Sequence, residues 1–141
     1  MSTGPMTGAR GSCLCGGVSY AVNGPLRPVE FCHCTQCRKT SGHFVAATAC
    51  DSRDLEITAG ATLAWYRSSA TAERGFCQVC GSSLFWRPTH SAQTSIMAGT
   101  LDGTTGLEAV GHIFAADAGD YYEIYDGLPQ HAGDWPAEGG G

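Results

Sequence analysis

The sequence predicts an all-β fold. Glycine accounts for 20 of the 141 residues, and the apolar residues show little helical periodicity. Short runs that favour extended backbone instead recur at intervals of about 8–12 residues, which is typical of a β-sandwich or barrel. Seven of the eight cysteines fall into three tight clusters. Such clusters, far apart in the chain, are typical of zinc sites that the fold brings together.

Four extended segments are predicted in the first half of the chain. The clearest is 18–22, where Val18, Tyr20 and Val22 alternate with smaller or polar residues. The other three lead into the middle cysteine cluster or follow it, at 28–32, 44–50 and 55–58. The one credible helix is a turn or two directly after that cluster, through Arg38, Lys39 and Thr40.

The second half is predicted to begin with a hairpin. Its strands are 63–67 and 71–76, around a turn at 68–70. A strand at 83–86 follows and stops at Pro88, because proline cannot donate to a strand ladder. Further short strands are predicted at 94–98, 110–114 and 121–125. We assign Trp65, Phe85 and Trp86 to the core, with the wall of a pocket as the alternative.

The chain is predicted to be one domain, spanning 11–133, because no linker-like stretch interrupts it. Residues 1–10 and 134–141 are predicted to be flexible tails, since small and polar residues dominate them. No apolar run reaches the roughly 18–20 residues needed to cross a membrane. The first residues also lack the apolar stretch of a signal peptide. We therefore expect a cytoplasmic protein whose thiols stay reduced.

The charge distribution excludes a general affinity for nucleic acid or acidic membranes, since the formal net charge is −5. All eight basic residues lie between Arg10 and Arg87, and eight acidic residues follow from Asp102 to Glu138. Four of the bases are close to cysteines in sequence: Arg10, Arg38, Lys39 and Arg74. They could offset thiolate charge, lower thiol pKa values or hold a substrate carboxylate, or they could simply be surface charges.

Two of the cysteine clusters supply four thiols, and we predict that they hold a structural zinc ion. The four are Cys13, Cys15, Cys77 and Cys80, and a glycine follows each pair. Glycine allows the positive φ with which backbone N–H groups turn towards sulfur. The alternatives for these cysteines are disulfides, an iron–sulfur centre and buried cysteines without a ligand. Cys50, alone in its segment, is predicted to be a small buried apolar residue.

The middle cluster, Cys32, Cys34 and Cys37, supplies three thiols on one tight turn. Three protein ligands with an open fourth position are how catalytic zinc is held, and a substrate thiol is a natural fourth ligand. His43 could close the site and make it structural, whereas His33 is expected to point away. His112 is another candidate for the fourth ligand, although its strand-like context favours a place in the core or behind a ligand. A metal-free nucleophile pair of Cys37 and His43 is a further alternative.

The sequence resembles the glutathione-dependent formaldehyde-activating enzyme family, also called the centromere protein V/GFA domain. The resemblance lies in the stretches around the three cysteine clusters, 11–20, 31–42 and 74–84, and in two short stretches near the end, 112–114 and 126–129. It covers about residues 11–130 and keeps the order of all three clusters.

The resemblance implies a β-tent fold of short antiparallel sheets with two zinc ions. It places the structural ion on Cys13, Cys15, Cys77 and Cys80, and the catalytic ion on Cys32, Cys34 and Cys37. The implied activity joins formaldehyde to glutathione, giving S-hydroxymethylglutathione, which is a carbon–sulfur lyase reaction in reverse. Four residues after the catalytic cluster are candidates for contacting glutathione: Arg38, Lys39, Ser41 and Gly42.

Two functions are therefore weighed. The first is a zinc-dependent enzyme that adds a thiol to a small aldehyde. The alternative is a non-catalytic, zinc-stabilised β-domain that binds a small molecule or a protein partner. The sequence does not predict an oligomeric state.

Overall fold

A computed structural model of the chain describes residues 8–136. Ten strands and one α-helix, α1 (Thr35–Ser41), form within these residues. The strands are β1 (Ala9–Ser12), β2 (Ser19–Val22), β3 (Val29–Cys32), β4 (Val45–Asp51), β5 (Leu55–Ala59), β6 (Leu63–Ser69), β7 (Ala72–Cys77), β8 (Ser83–Pro88), β9 (Gln93–Met97) and β10 (Ala109–Ile113). In the part of the chain described, no helix is long and apolar enough to cross a bilayer.

The strands form two sheets, so the predicted all-β fold is confirmed. The smaller sheet has the order β1-β2-β5 and is antiparallel throughout. The larger has the order β10-β3-β4-β9-β8-β7-β6, and its only parallel pair among the described residues is β10 with β3. This pair brings the last strand of the chain beside the strand that ends in Cys32. The middle cysteine cluster thus lies where early and late parts of the chain meet.

The main core lies around two aromatic rings, one from each sheet. Tyr20 of β2 and Phe85 of β8 are fully buried and meet edge to face, with ring centroids 5.2 Å apart. Trp65 stacks on Phe85, with ring centroids 6.0 Å apart. Cys50 is 2 % exposed within the same cluster, as predicted. A smaller cluster around Val45, Met97 and Trp86 packs against the middle cysteines instead.

Two of the predicted elements were wrong. No strand forms at 121–125, which has irregular backbone although the exposure of its side chains alternates. The flexible tail predicted at 1–10 includes two residues that belong to a strand. β1 begins at Ala9 and pairs with β2, and Ala9 is 3 % exposed. Residues 1–7 lie outside the described residues, as do 137–141 of the other predicted tail. Of that second tail, Trp135 packs on His131 with ring centroids 4.6 Å apart.

Gly11 of β1 lies where there is no room for a side chain. A Cβ atom there would collide with the Tyr20 hydroxyl and with the backbone carbonyl of Thr100. We expect Gly11→Ala to lower the free energy of unfolding by about 1–3 kcal/mol, as overpacking in cores does. Chemical denaturation would measure the change. Gly99→Ala is the control, because no atom lies within 4 Å of its Cβ position. Equal stability of the two variants would contradict the prediction.

Candidate metal centres

The first candidate centre joins the end of β1 to the end of β7. The sulfur atoms of Cys13, Cys15, Cys77 and Cys80 all lie within 4.8 Å of one another. Cys15 Sγ is 3.7 Å from both Cys13 Sγ and Cys77 Sγ. A tetrahedral zinc ion with Zn–S bonds of about 2.3 Å would hold its sulfurs about 3.8 Å apart. All four thiols are free. The four sulfur donors and the distances between them therefore fit a metal ion bound by four thiolates.

Hydrogen-bond donors surround the sulfurs of this four-cysteine group. The Val18 N–H donates to Cys13 Sγ at 3.2 Å. Ser82 Oγ lies 3.1 Å from Cys80 Sγ, and hydrogen bonds from its hydroxyl and backbone N–H lower the pKa of Cys80 to about 5. A hydrogen bond from Thr62 likewise lowers the pKa of Cys77. These donors stabilise thiolates, the form that binds metal.

Backbone geometry at the two cysteine pairs agrees with the expectation from sequence. Gly16 and Gly81 have φ of 82° and 81°, the left-handed region that glycine enters without strain. The Leu14 N–H donates to Ser82 Oγ at 3.1 Å and so joins the two loops directly. Sequence reasoning missed Thr62 and Ser82. Ser82 follows the last cysteine pair by two residues and was within reach of a motif argument, whereas Thr62 was not.

The second candidate centre is built on the turn from β3 to α1. Cys32 ends β3, Cys34 caps α1 and Cys37 lies in its first turn, and their sulfurs are within 4.8 Å of one another. Cys34 Sγ accepts the Cys37 N–H at 3.4 Å. Cys37 is buried, whereas Cys32 and Cys34 are partly exposed. The two predicted groups are thus the two that the fold brings together, and each could bind a metal ion.

This three-cysteine group has no fourth protein ligand among the described residues. His43, which was predicted as a possible fourth ligand, is instead hydrogen-bonded through Nδ1 to the Tyr121 hydroxyl at 2.8 Å. His33 points away from the sulfurs, as expected, into a fully buried position. A hydrogen bond from the Cys32 thiol, helped by the positive charge of Arg74, lowers the pKa of Cys37 to about 6.

A chain of hydrogen bonds runs behind this group, from Tyr122 through His33 and His112 to Asp126. His33 Nε2 lies 2.9 Å from His112 Nδ1, and His112 Nε2 lies 2.7 Å from Asp126 Oδ2. The Tyr122 hydroxyl contacts His33 Nδ1. A carboxylate only accepts, and hydrogen bonds from the Leu128 N–H and from His112 lower the pKa of Asp126. His112 Nε2 is therefore the donor to Asp126.

Both histidines are buried links in this chain. Burial lowers the pKa of His33 to about 4, and His112 is 3 % exposed. The backbone N–H of His33 donates to the Ile113 carbonyl at 3.1 Å. The turn that carries Cys32 and Cys34 is therefore held by residues from the last third of the chain. Sequence reasoning placed His112 in the core or behind a ligand and missed Tyr122 and Asp126.

We expect Tyr122→Phe to lower the free energy of unfolding by about 1–3 kcal/mol, because it leaves a buried ring nitrogen of His33 without a partner. Thermal or chemical denaturation would measure the loss. Tyr125→Phe is the matched control, since its hydroxyl bonds to Glu123 on the surface and its side chain is 84 % exposed. Two variants as stable as the wild type would show that the chain of hydrogen bonds contributes nothing.

The four residues predicted to contact substrate lie on α1 or at its end. The Ser41 hydroxyl donates to the Cys37 carbonyl at 2.7 Å, and its oxygen accepts the His43 N–H at 3.2 Å. Gly42 ends the helix with φ 86°, and its N–H donates to the Arg38 carbonyl. The hydrogen bonds of Ser41 and Gly42 thus stabilise the end of α1. Arg38 is partly buried and its Nε has no hydrogen-bond partner within residues 8–136, whereas Lys39 is exposed.

Comparison with known proteins adds three findings. The family model described as glutathione-dependent formaldehyde-activating enzyme matches residues 8–117. An uncharacterized lyase of Schizosaccharomyces pombe is 29% identical over 80 residues, which are 57% of this chain and 58% of that protein. The crystal structure of a Rhodobacter sphaeroides protein superposes with a TM-score of 0.59 at 23% identity, over 86% of this chain and 98% of that one. This last similarity shows the fold alone.

Proposed function

Because the chain belongs to the glutathione-dependent formaldehyde-activating enzyme family, we propose that it is a zinc-dependent carbon–sulfur lyase. In the synthetic direction it joins a small aldehyde to a thiol, with formaldehyde and glutathione as the proposed substrates. The relative named as a lyase supports the reaction class. Two zinc ions per chain are the proposed cofactors, and a reducing, cytoplasmic setting is proposed with them because metal-binding thiols persist there.

One observation carries the proposal: the two cysteine groups differ in what they leave open. The four-cysteine group has the full ligand set of a closed structural site. The three-cysteine group has three sulfurs, and two of them are partly exposed. A zinc ion bound there would supply the positive charge that keeps a substrate thiol deprotonated at neutral pH. The three-cysteine group thus has one sulfur too few to close a tetrahedral site, and two of its cysteines are partly exposed to solvent. Both features favour a metal site that a substrate can reach.

The residues of the chain would bind and orient the reactants. Val45, Met97 and Trp86 pack against the three-cysteine group and keep water from its inner side. Arg38 and Lys39 are the proposed cations for the carboxylates of a tripeptide thiol, since charge-assisted hydrogen bonds to carboxylate are the strong ones. Ser41 and Gly42 would serve by holding the helix end that presents Arg38.

The reaction forms one carbon–sulfur bond. The substrate thiol loses its proton, the sulfur electron pair adds to the carbonyl carbon, and the carbonyl oxygen takes up a proton. The reverse reaction breaks the same bond and returns the thiol and the aldehyde. Neither direction needs an oxidant or a reductant, so binding and orientation of the thiol are what the chain must supply.

The test is to add the zinc-loaded protein to glutathione and formaldehyde and follow the adduct by NMR. Adduct formation faster than in protein-free buffer with the same zinc supports the proposal. No acceleration at any protein concentration overturns it. 2-Mercaptoethanol serves as a neutral comparison thiol, which separates a requirement for carboxylates from a general thiol activity.

The alternative of a non-catalytic binding domain is favoured by one observation. The acidic segment that contains Glu123 and Asp126 reaches the three-cysteine group through Tyr122 and His33, and it would repel an anionic tripeptide. A binding domain predicts stoichiometric association with a thiol or a protein partner and no turnover. Calorimetric titration with glutathione in the absence of aldehyde measures the binding, and the NMR assay with formaldehyde shows whether a reaction follows it.

A further inference from the structure

A buried arginine lies against the three-cysteine group. Arg74 of β7 is only 6 % exposed. Its Nη2 is 3.8 Å from Cys37 Sγ and 3.4 Å from Gln36 Oε1, and its Nε has no hydrogen-bond partner among the described residues. A guanidinium stays ionised at any physiological pH. The fold therefore holds a permanent positive charge in contact with one of the three sulfurs.

No carboxylate neutralises this charge. Other arginines of the described chain form ion pairs with acidic residues, for example Arg27 with Glu30 at 2.6 Å and Arg87 with Glu73 at 2.9 Å. Arg74 forms no such pair within 4.0 Å in the same part of the chain. A buried charge without a counter-charge is strongly unfavourable. Of the two described groups hydrogen-bonded to Arg74, Gln36 Oε1 and Cys37 Sγ, only the sulfur can carry a negative charge.

Charge balance with a divalent ion is then simple. Three thiolates and one divalent ion sum to one negative charge (three minus two), and Arg74 brings the sum to zero. The four-cysteine group would keep two negative charges (four minus two), and its Cys15 is exposed to water, which solvates charge. The two groups thus reach balance in different ways: one by solvent and hydrogen-bond donors, the other by a buried cation.

We propose that Arg74 is the counter-charge of the metal-loaded three-cysteine group and raises the affinity of that group for a divalent metal ion. The inference rests on the proposed function, because it requires a metal ion on Cys32, Cys34 and Cys37. Arg74 is a positioning residue and not a catalytic one: it is buried, and it acts on the sulfurs rather than on substrate. Its effect is therefore measurable without any substrate.

The experiment measures zinc per chain and zinc affinity by competition with a chromogenic chelator. Arg74→Met removes the charge at similar length, and Arg74→Lys restores it. We expect two zinc ions in the wild type, and in Arg74→Met a loss of about 10- to 100-fold in affinity for one of them, the size seen when groups behind metal ligands are removed. The four-cysteine group in the same molecule is the internal control, since general unfolding would release both ions.

Arg87→Met is the matched control variant. Arg87 lies on the neighbouring strand β8 and pairs with Glu73 near the surface, so its removal should change neither zinc affinity. Arg74→Lys should recover most of the lost affinity. If Arg74→Met does not fold, recovery of two zinc ions in Arg74→Lys supports the counter-charge, and an unchanged defect in Arg74→Lys overturns it.

The remaining outcomes separate the inference from the proposed function. Two zinc ions bound with unchanged affinities in Arg74→Met overturn the inference and leave the proposed function standing. A wild-type chain that binds one zinc ion, on the four-cysteine group alone, overturns both. Equal weakening of both ions in Arg74→Met, with the fold intact, also overturns the inference, because the effect would not be confined to the group that Arg74 contacts.

Discussion

Replacing Cys13 with serine should abolish the cooperative unfolding transition of the protein. Cys13 is one of the four sulfurs that join the small sheet to the end of β7. Structural zinc binding is worth on the order of 10 kcal/mol in small domains. The net stability of a domain is only about 5–15 kcal/mol. Loss of one ligand therefore removes most of what keeps the chain folded. Thermal unfolding followed by tryptophan fluorescence would show it.

The chain offers a closely matched control in Cys50→Ser. Cys13 is 3 % exposed and Cys50 is 2 % exposed, so both substitutions bury a hydroxyl in place of a thiol. Cys50 belongs to neither cysteine group. It should lose only about 1–3 kcal/mol, the cost of a buried hydroxyl. A Cys13→Ser protein with the same unfolding midpoint as Cys50→Ser would show that the four-cysteine group does not hold the fold together.

The second large effect is expected for activity, in Cys34→Ser. This variant should keep the fold, bind one zinc ion instead of two, and reduce adduct formation to the uncatalysed rate. Cys34 is the N-cap of α1, where its sulfur accepts the Cys37 N–H. Serine is among the best N-cap residues, so the substitution removes a metal ligand and leaves the start of the helix intact. Loss of activity can then be assigned to the ligand.

Two other outcomes for Cys34→Ser would be informative. If the variant unfolds as Cys13→Ser does, the metal ion of the three-cysteine group is structural. That outcome would favour the alternative function, a non-catalytic binding domain. If the variant folds and retains wild-type activity, the three-cysteine group is not the catalytic site. Cys50→Ser, assayed beside it, controls for loss of a thiol elsewhere in the core.

The cysteine grouping could be predicted from sequence because short spacings determine which sulfurs can share an ion. The strands could be predicted for a similar reason, since alternation is local. Residues 121–125 show the limit of that signal. Tyr122 and Ile124 are partly buried between exposed neighbours, as in a strand, but the segment has no ladder partner. Alternation reports which side chains face inwards and is silent about pairing.

The contacts behind the three-cysteine group could not be predicted, because they join distant parts of the chain. His33 meets Tyr122 across 89 residues and His112 across 79, and Arg74 meets Cys37 across 37. The sequence marks Arg74 as a base near cysteines, but the nearest one in sequence, Cys77, belongs to the other group. Only the pairing of β7 in the larger sheet brings it to Cys37.

The hydrogen-bond chain to Asp126 has a consequence for where the protein can be shortened. A chain cut after Asp117, where the last 3₁₀ turn ends, would keep all eight cysteines and all ten strands. It would lose Tyr122 and Asp126, and two buried imidazoles would be left with only each other. The smallest fragment expected to fold with both cysteine groups assembled therefore extends past Asp126, well beyond the last cysteine.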